Sequence, residues 1–343
     1  MSLKLRVQNF RSWKDFSIEL PDKISIITGP NGAGKTSLME AVYIAETGKS
    51  WRSNFDEILH REASEVTDWW RIDYRLNDEP LRTIKYNHGE KSFTVDDKTY
   101  KRMPKSAKRP VVLFEPGDMQ ILYGSPTRRR QFLDRYIAEL EPRHQTELNK
   151  FTRVLRQRNN LLKQDDYSLD ELTVWNIQFC SLSINITKRR RQYLKEINNM
   201  LLEKYREIAS LTDSVNIRFI AGGPSDEAEL MQRVQPAQAY PNPSIGAQRD
   251  DYKFIFRRNE AKTSASRGEN RTILFAVLGA MTDLARAKTS QRVLVLLDDI
   301  DSELDRSRRV GLYGLSSFKK DTIATTLEFS GGEEQFNLRL DAD

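Results

Sequence analysis

Hydrophobic residues near the start of the chain fall at every second position: Leu3, Leu5 and Val7, then Phe16, Ile18 and Leu20. This period of two predicts strands with one buried face, and Pro21-Asp22 supplies a turn before the apolar run Ile24-Ser25-Ile26-Ile27-Thr28, which reads as a buried strand. A period of three to four follows in Leu38, Ala41, Val42 and Ala45, the stripe of a helix lying on a core. Alternation returns around 69–76, 81–86 and 93–100, predicting a meander, and Val111-Val112-Leu113-Phe114 predicts another buried strand. From 125 to 163 the apolar positions Ile137, Leu140, Leu148, Phe151, Leu155 and Leu162 recur at helical spacing. Leu172, Trp175, Phe179, Leu182 and Ile186 continue it toward Met200, after the polar segment 163–167. Antiparallel helices in a compact lobe are expected, and the repeat spans too few heptads for a long coiled-coil arm. Residues 221–246, rich in Gly, Pro, Ala and Gln, read as a loop or a partly ordered crossing. A helical stripe then runs through Ile273, Ala276, Val277, Ala280, Leu284 and Ala285, and Val293-Leu294-Val295-Leu296-Leu297 suits a parallel strand buried on both faces. The pattern predicts an α/β fold in two halves, 1–114 and 246–343, split by a mainly helical insertion at 115–245.

Between the buried strand and the first helical stripe stands Gly29-Pro30-Asn31-Gly32-Ala33-Gly34-Lys35-Thr36, followed by Ser37. Glycines at 29, 32 and 34 let the chain turn tightly and aim backbone N–H groups at phosphate oxygens, and the helix beginning near Lys35 adds its positive dipole end. Lys35 would reach the β- and γ-phosphates of a nucleotide, and Thr36 would hold Mg²⁺. The five apolar residues 293–297 end in Asp298-Asp299. An acid at that strand end can hold the Mg²⁺ hydration shell, and its neighbour can orient an attacking water, so Lys35, Asp298 and Asp299 are the catalytic candidates and Thr36 and Asp298 the metal candidates.

Composition narrows the surroundings of such a site. The 343 residues include one cysteine, Cys180, and three histidines, which excludes a disulfide framework and a histidine metal cluster. Any metal is expected to arrive with the nucleotide. No run approaches the roughly 18–20 apolar residues of a membrane span, so a cytoplasmic protein is expected. The balance of 55 Lys+Arg against 49 Asp+Glu gives a formal charge of +6 and favours an anionic partner.

Ser266-Arg267-Gly268-Glu269 opens the late helical stripe, and Asp301-Ser302-Glu303-Leu304-Asp305 follows the acid pair. In this order the elements resemble the ABC-type ATPase superfamily. The resemblance implies that 266–269 is a signature motif and that Ser302, Leu304 and Asp305 belong to a D-loop. It further implies that Ser266 and Gly268 cap the γ-phosphate held by a partner's Lys35, so that ATP joins two chains head to tail. A plain helix cap is the other reading of Ser266. Ser330-Gly331-Gly332-Glu333-Glu334 looks like a second signature, but it follows the D-loop and reads as a polar turn.

Longer segments resemble the RecF family of bacterial recombination mediators: Asn9-Phe10-Arg11, Gly48-Lys49-Ser50-Trp51-Arg52, Phe114-Glu115-Pro116-Gly117-Asp118, Gly124-Ser125-Pro126 with 128–134, and Gly246-Ala247-Gln248-Arg249-Asp250-Asp251. The chain departs from the family pattern at Ala247-Gln248 (Pro-His), Glu269 (Gln) and Gly117 (Glu). The resemblance implies an ABC-type P-loop ATPase head of the SMC/Rad50-like branch, ATP and Mg²⁺ as cofactors, and weak, DNA-stimulated hydrolysis. It implies binding of gapped or double-strand/single-strand junction DNA, and RecR as partner in a pathway with RecO and a recombinase. Arg11 joins the ATP candidates, with Lys49 and Arg52 nearby, and Gln120 is either a Mg²⁺-sensing Q-loop glutamine or a surface residue. Thr325-Thr326 stands where transporter ATPases carry a switch histidine, which suggests slow turnover. Candidate DNA contacts are Lys105, Lys108, Arg109, Arg128, Arg129, Arg130, Lys188, Arg189, Arg190 and Arg191; each run is either a phosphate contact or a solvated face. A transporter subunit would want the switch histidine, and an SMC-type chromosome protein would want far longer helical arms.

Overall fold

The N-terminal alternation forms a hairpin in which β1 (Leu3–Phe10) pairs antiparallel with β2 (Trp13–Leu20), Leu3 opposite Leu20 and Phe10 opposite Trp13. The computed structural model describes residues 2–21, 24–60, 68–209, 213–235, 244–300, 304–327 and 336–340. The apolar run at 24–28 becomes β3 (Ser25–Thr28), buried throughout, and leads through the glycine loop into α1 (Lys35–Thr47). The meander follows as β4 (Trp69–Leu76), β5 (Arg82–Asn87), β6 (Glu90–Val95) and β7 (Lys98–Tyr100). The alternating run at 93–100 is thus two strands rather than one. Asp96 and Asp97, at φ 52° and 58°, make a two-residue hairpin turn between them, as His88 and Gly89 do before it. These strands form a six-stranded sheet in the order β2-β1-β4-β5-β6-β7. Its inner face and α1 share one core, in which Trp70 is fully buried against Phe10 and Phe55.

β8 (Val111–Phe114) closes the first half of the chain. Helices then dominate: α2 (Gln120–Tyr123), α3 (Pro126–Leu140), α4 (Pro142–Leu161) and α5 (Leu169–Ala209). The stripe read as continuous from 125 to 163 breaks at Pro142, because a residue before proline is driven out of the helical region. α5, with 41 residues, spans roughly 60 Å at about 1.5 Å per residue and continues beyond Met200. β9 (Val215–Ile220) precedes α6 (Glu227–Val234), which corrects the reading of 221–246 as loop. Asp226 caps α6 by accepting from the Glu229 N–H at 2.8 Å, and Leu230 and Val234 are buried. β10 (Asp251–Phe256) pairs antiparallel with β9 and with β11 (Asn259–Glu260), and α7 (Ala261–Ser264) and α8 (Arg267–Lys288) follow.

The remaining elements are β12 (Leu294–Leu297), α9 (Arg306–Gly314), β13 (Thr322–Thr326) and β14 (Phe336–Arg339). They complete a parallel sheet in the order β14-β3-β13-β12-β8, with Val295 opposite both Val112 and Thr322. By their contacts, 1–116, 207–209 and 281–343 form one compact unit, and 117–206 and 210–280 a second. Residues 246–280, grouped by the sequence with the second α/β half, fall in the second unit. No helix among the described residues is long and apolar enough to cross a membrane.

Candidate functional site

The glycine loop owes its shape to two close approaches. Gly34 is left-handed at φ 86° and stands against the Trp13 ring, 2.3 Å from where a Cβ would lie, and Trp13 is stacked on Phe16 at 4.3 Å. A Cβ on Gly29 would lie 2.2 Å from the Leu340 carbonyl oxygen. Gly34 gives α1 no side-chain cap and the first turn carries no acid, so this helix end suits an anionic ligand. Lys35 Nζ donates to the carbonyls of Gly29 (2.6 Å) and Pro30 (2.9 Å). Burial lowers the Lys35 pKa, and Asp298 and Asp299 partly offset that effect.

Beside the loop, β12 delivers the acid pair. Asp298 is buried, its Oδ2 accepting from the Thr36 hydroxyl at 2.9 Å and its Oδ1 from the Thr325 hydroxyl at 2.5 Å. Asp299 is left-handed at φ 52°, a conformation that costs a non-glycine residue roughly 1 kcal/mol. Lys35, Thr36, Asp298, Asp299 and Thr325 line one cleft of about 410 Å³, with Ser12, Asn31 and Arg52 among its other walls. Thr36 Oγ1 and the Asp298 carboxylate are hard oxygen donors side by side in this cleft, 2.9 Å apart, which fits a Mg²⁺ that keeps several waters. Among the described residues no group of three His, Cys, Asp or Glu could hold a metal alone.

Other candidates are placed elsewhere. Arg11 does not line the cleft: its guanidinium is bound to both Glu40 oxygens (2.8 and 2.7 Å), to Ser53 and to the Glu57 carbonyl, because Glu40 is buried on α1 and needs a counter-charge. Gln120 opens α2 in the second unit. Ser266 and Glu269 form a reciprocal capping box at the start of α8: the Ser266 N–H donates to Glu269 Oε2 (2.8 Å) and the Glu269 N–H to Ser266 Oγ (3.3 Å). Arg257 pairs with Glu269 Oε1 at 2.9 Å and with both oxygens of Asp213. Arg267 and Gly268 lie on the first turn of that helix.

Leu304 is buried, while Ser302 and residues 330–334 lie outside the described residues. Asp305 is the N-cap of α9, accepting from the Arg308 N–H at 2.9 Å. That bond, with one from Ser307, holds its carboxyl below the ordinary value, so the cap stabilises above that value and weakens as pH falls. Asp305→Ala is expected to cost about 1 kcal/mol, read as a shifted denaturation midpoint.

Four of the basic candidates are engaged in ion pairs within the fold. Arg109 lies on the buried Glu46 and on Glu79. Arg129 binds both oxygens of Asp251 at 2.6 and 2.9 Å. Arg189 binds Glu141 and Glu147, and the buried Arg190 binds Asp134 and Asp250. Arg130 donates to the Asp250 carbonyl at 2.8 Å and is half-buried. Lys105, Lys108, Arg128, Lys188 and Arg191 are exposed. The sequence singled out Thr325 for the missing switch histidine but not for its hydroxyl, which the fully buried β13 carries into this cleft.

Residues 4–218 match the AAA domain family. The DNA replication and repair protein RecF of Lachnoclostridium phytofermentans is 30% identical over 346 residues, covering 99% of this chain and 95% of that protein. The chain belongs to the RecF family. The RecF protein of Staphylococcus haemolyticus is also 30% identical, over 358 residues that cover 96% of this chain and 94% of its own. Among solved structures, the recombination mediator protein RecF-ATPrS of the RecFOR pathway matches with a TM-score of 0.81 at 23% identity, over 99% of this chain and 98% of that one. An Smc head bound to the C-winged helix domain of ScpA matches at 0.52 and 15% identity, over 95% and 89%. The fold is therefore the ABC-type P-loop ATPase head of RecF and SMC proteins, with a β meander and an inserted, mainly helical lobe. The residues quoted for the family also acquire physical roles. Arg129, Arg130 and Asp134 on α3 meet Asp250 and Asp251 at the start of β10, with Arg190 of α5 joining Asp134 to Asp250.

Proposed function

We propose that this protein is an ATPase of the RecFOR recombinational repair pathway that binds ATP with Mg²⁺, dimerises around it and holds gapped or junction DNA for recombinase loading. One observation carries the reading: the first turn of α1 and the end of β12 bring Thr36 and Asp298, 262 residues apart in sequence, within 2.9 Å, in the cleft that also holds Lys35 and Asp299. Lys35 would exchange the Gly29 and Pro30 carbonyls for β- and γ-phosphate oxygens, and the N–H groups of the glycine loop would cradle the phosphates. Thr36 and Asp298 would hold Mg²⁺, which neutralises phosphate charge. Asp299 would orient the attacking water, and Ser266 and Gly268 of a second copy would cover the γ-phosphate. Residues 1–114 and 246–343 would supply the ATPase halves and 115–245 the lobe. Slow, DNA-stimulated hydrolysis would then release the dimer.

DNA contact falls to the exposed Lys105, Lys108, Arg128, Lys188 and Arg191, giving sequence-independent, salt-sensitive binding in the cytoplasm. RecR is the proposed direct partner, with RecO in the same pathway. The test is sedimentation with ATP, Mg²⁺ and a gapped duplex. The unsubstituted chain is expected to form an ATP-dependent dimer that retains DNA, and Ser266→Arg to stay monomeric while still binding ATP. A Ser266→Arg chain that dimerises normally contradicts the head-to-tail arrangement.

A further inference from the structure

We propose that Thr325 is a positioning residue that fixes both acids of the site through one hydroxyl. The Thr325 Oγ1 hydroxyl donates to Asp298 Oδ1 at 2.5 Å and accepts from the Asp299 backbone N–H at 2.9 Å. Its own carbonyl accepts from the Ile300 N–H at 3.0 Å, so a single residue holds three consecutive positions beyond β12. Asp298 is thereby gripped at each oxygen by a different hydroxyl, Thr325 from β13 and Thr36 from α1. Two hydroxyl anchors fix the plane of the carboxylate and its reach toward Thr36 Oγ1. The N–H contact meanwhile stabilises the left-handed backbone at φ 52° that sets the direction in which Asp299 leaves the strand.

The fold leaves little freedom to the residue supplying that hydroxyl. Thr325 has no solvent exposure, pairs with Ile27 of β3, and follows Ala324, which pairs with Leu297 immediately before the acids. β13 therefore lies between the phosphate-loop strand and the acid strand, and Thr325 at its end is held by its pairing with Ile27 on one edge and by the Ile300 N–H on the other. A valine would fill the same volume but offer neither a donor to Asp298 nor an acceptor to Asp299. A serine would keep both. The inference rests on the ATP·Mg²⁺ reading and separates within it: the phosphates are held by the glycine loop and Lys35, which Thr325 does not touch, whereas the metal depends on the orientation of Asp298.

The experiment titrates Mn²⁺ by electron paramagnetic resonance in the presence of a non-hydrolysable ATP analogue, and separately measures affinity for a fluorescent ATP analogue in EDTA. Thr325→Val is expected to weaken Mn²⁺ binding by about 10–100-fold, the usual effect of losing the group that orients a metal ligand. Affinity for the analogue in EDTA should stay within a factor of roughly three, and Thr325→Ser should restore Mn²⁺ binding. Thr325→Ala, which removes the hydroxyl without adding a branch, should match Val and guards against a Val-specific folding defect. Unchanged Mn²⁺ affinity in Val and Ala overturns the inference and leaves the ATP reading standing. So does an equal loss of metal and metal-free nucleotide binding that Ser fails to restore. No analogue-dependent Mn²⁺ signal in the unsubstituted chain overturns both.

Discussion

Lys35→Met is expected to slow ATP hydrolysis on the order of 10²–10³-fold, the scale on which a positioned donor to developing phosphate charge contributes. Methionine approximates the length of the lysine stem and keeps its packing, so the change isolates the ammonium. That ammonium lies beside the loop it is meant to serve, on the carbonyls of Gly29 and Pro30, and its pKa is lowered chiefly by burial. The nearby Asp298 and Asp299 favour its charged form, as an incoming triphosphate would. Phosphate release under saturating ATP is the measurement, with the melting midpoint as a check on folding. Turnover within threefold of the unsubstituted chain would remove Lys35 from the catalytic set.

The second large effect is on stability. Arg190→Met should destabilise the helical unit by about 3–5 kcal/mol, because removing one partner of a buried ion pair strands the other. Here two carboxylates are stranded: Arg190 binds Asp134 at 2.9 and 2.7 Å and Asp250 at 2.9 Å, and it also donates to the Ala247 carbonyl at 2.6 Å. Asp250 would keep the Thr187 hydroxyl and the Gly222 N–H, and Asp134 would keep His144, but neither would keep its cation. Burial alone pushes the Asp134 carboxyl up, and the His144 hydrogen bond together with Arg190 outweighs it, leaving the carboxyl below its ordinary value.

The sign of the pH effect follows from that depression. A carboxyl with a lowered folded pKa contributes stability above its unfolded value and loses it as pH falls toward the folded one. Without Arg190 its share of that lowering is lost, while the His144 hydrogen bond remains, so the folded pKa of Asp134 rises toward its unfolded value. The gap between the two proteins in urea midpoint, followed by circular dichroism at 222 nm, should therefore hold from pH 7 down to the ordinary carboxylate value of about 4 and narrow below it. A gap below roughly 1 kcal/mol at pH 7 would show that the pair is worth no more than a surface contact. DNA binding lost in this variant would reflect the fold, whereas Lys188→Gln and Arg191→Gln test the exposed side of the same helix.

The nucleotide cleft was legible because its chemistry is local. Eight consecutive residues write out the phosphate loop, and an apolar run ending in two acids marks the wall beside it. The buried strands at 24–28, 111–114 and 293–297 were equally plain, since a short, mostly apolar run has few other places to go. What escaped depends on distant partners. Arg129 and Arg190 sit in basic runs, yet the carboxylates that claim them lie 122 and 60 residues further on. The helix at 227–234 was hidden by flanking glycine and proline, and its two buried residues, Leu230 and Val234, are too few to make a stripe. β14 spans only four residues and gave no period to read. Thr325 was visible as a residue, but its hydroxyl's two duties follow only from β13 lying between β3 and β12.

The position of β3 bears on how the protein is made. Its two neighbours in the sheet are β13 and β14, so the strand that carries the phosphate loop, at residues 25–28, pairs only with residues 322–326 and 336–339. The meander can form as soon as its turns leave the ribosome, but the loop strand must wait for nearly three hundred more residues. At a synthesis rate of about 5–20 residues per second, that delay is roughly 15–60 s. During it the apolar β3 has no sheet partner, and β8 likewise awaits β12. The walls of the cleft run from Ser12 to Leu327 and are therefore complete only after translation has passed residue 327, so a nascent chain stalled earlier can hold a folded meander but only part of the nucleotide site.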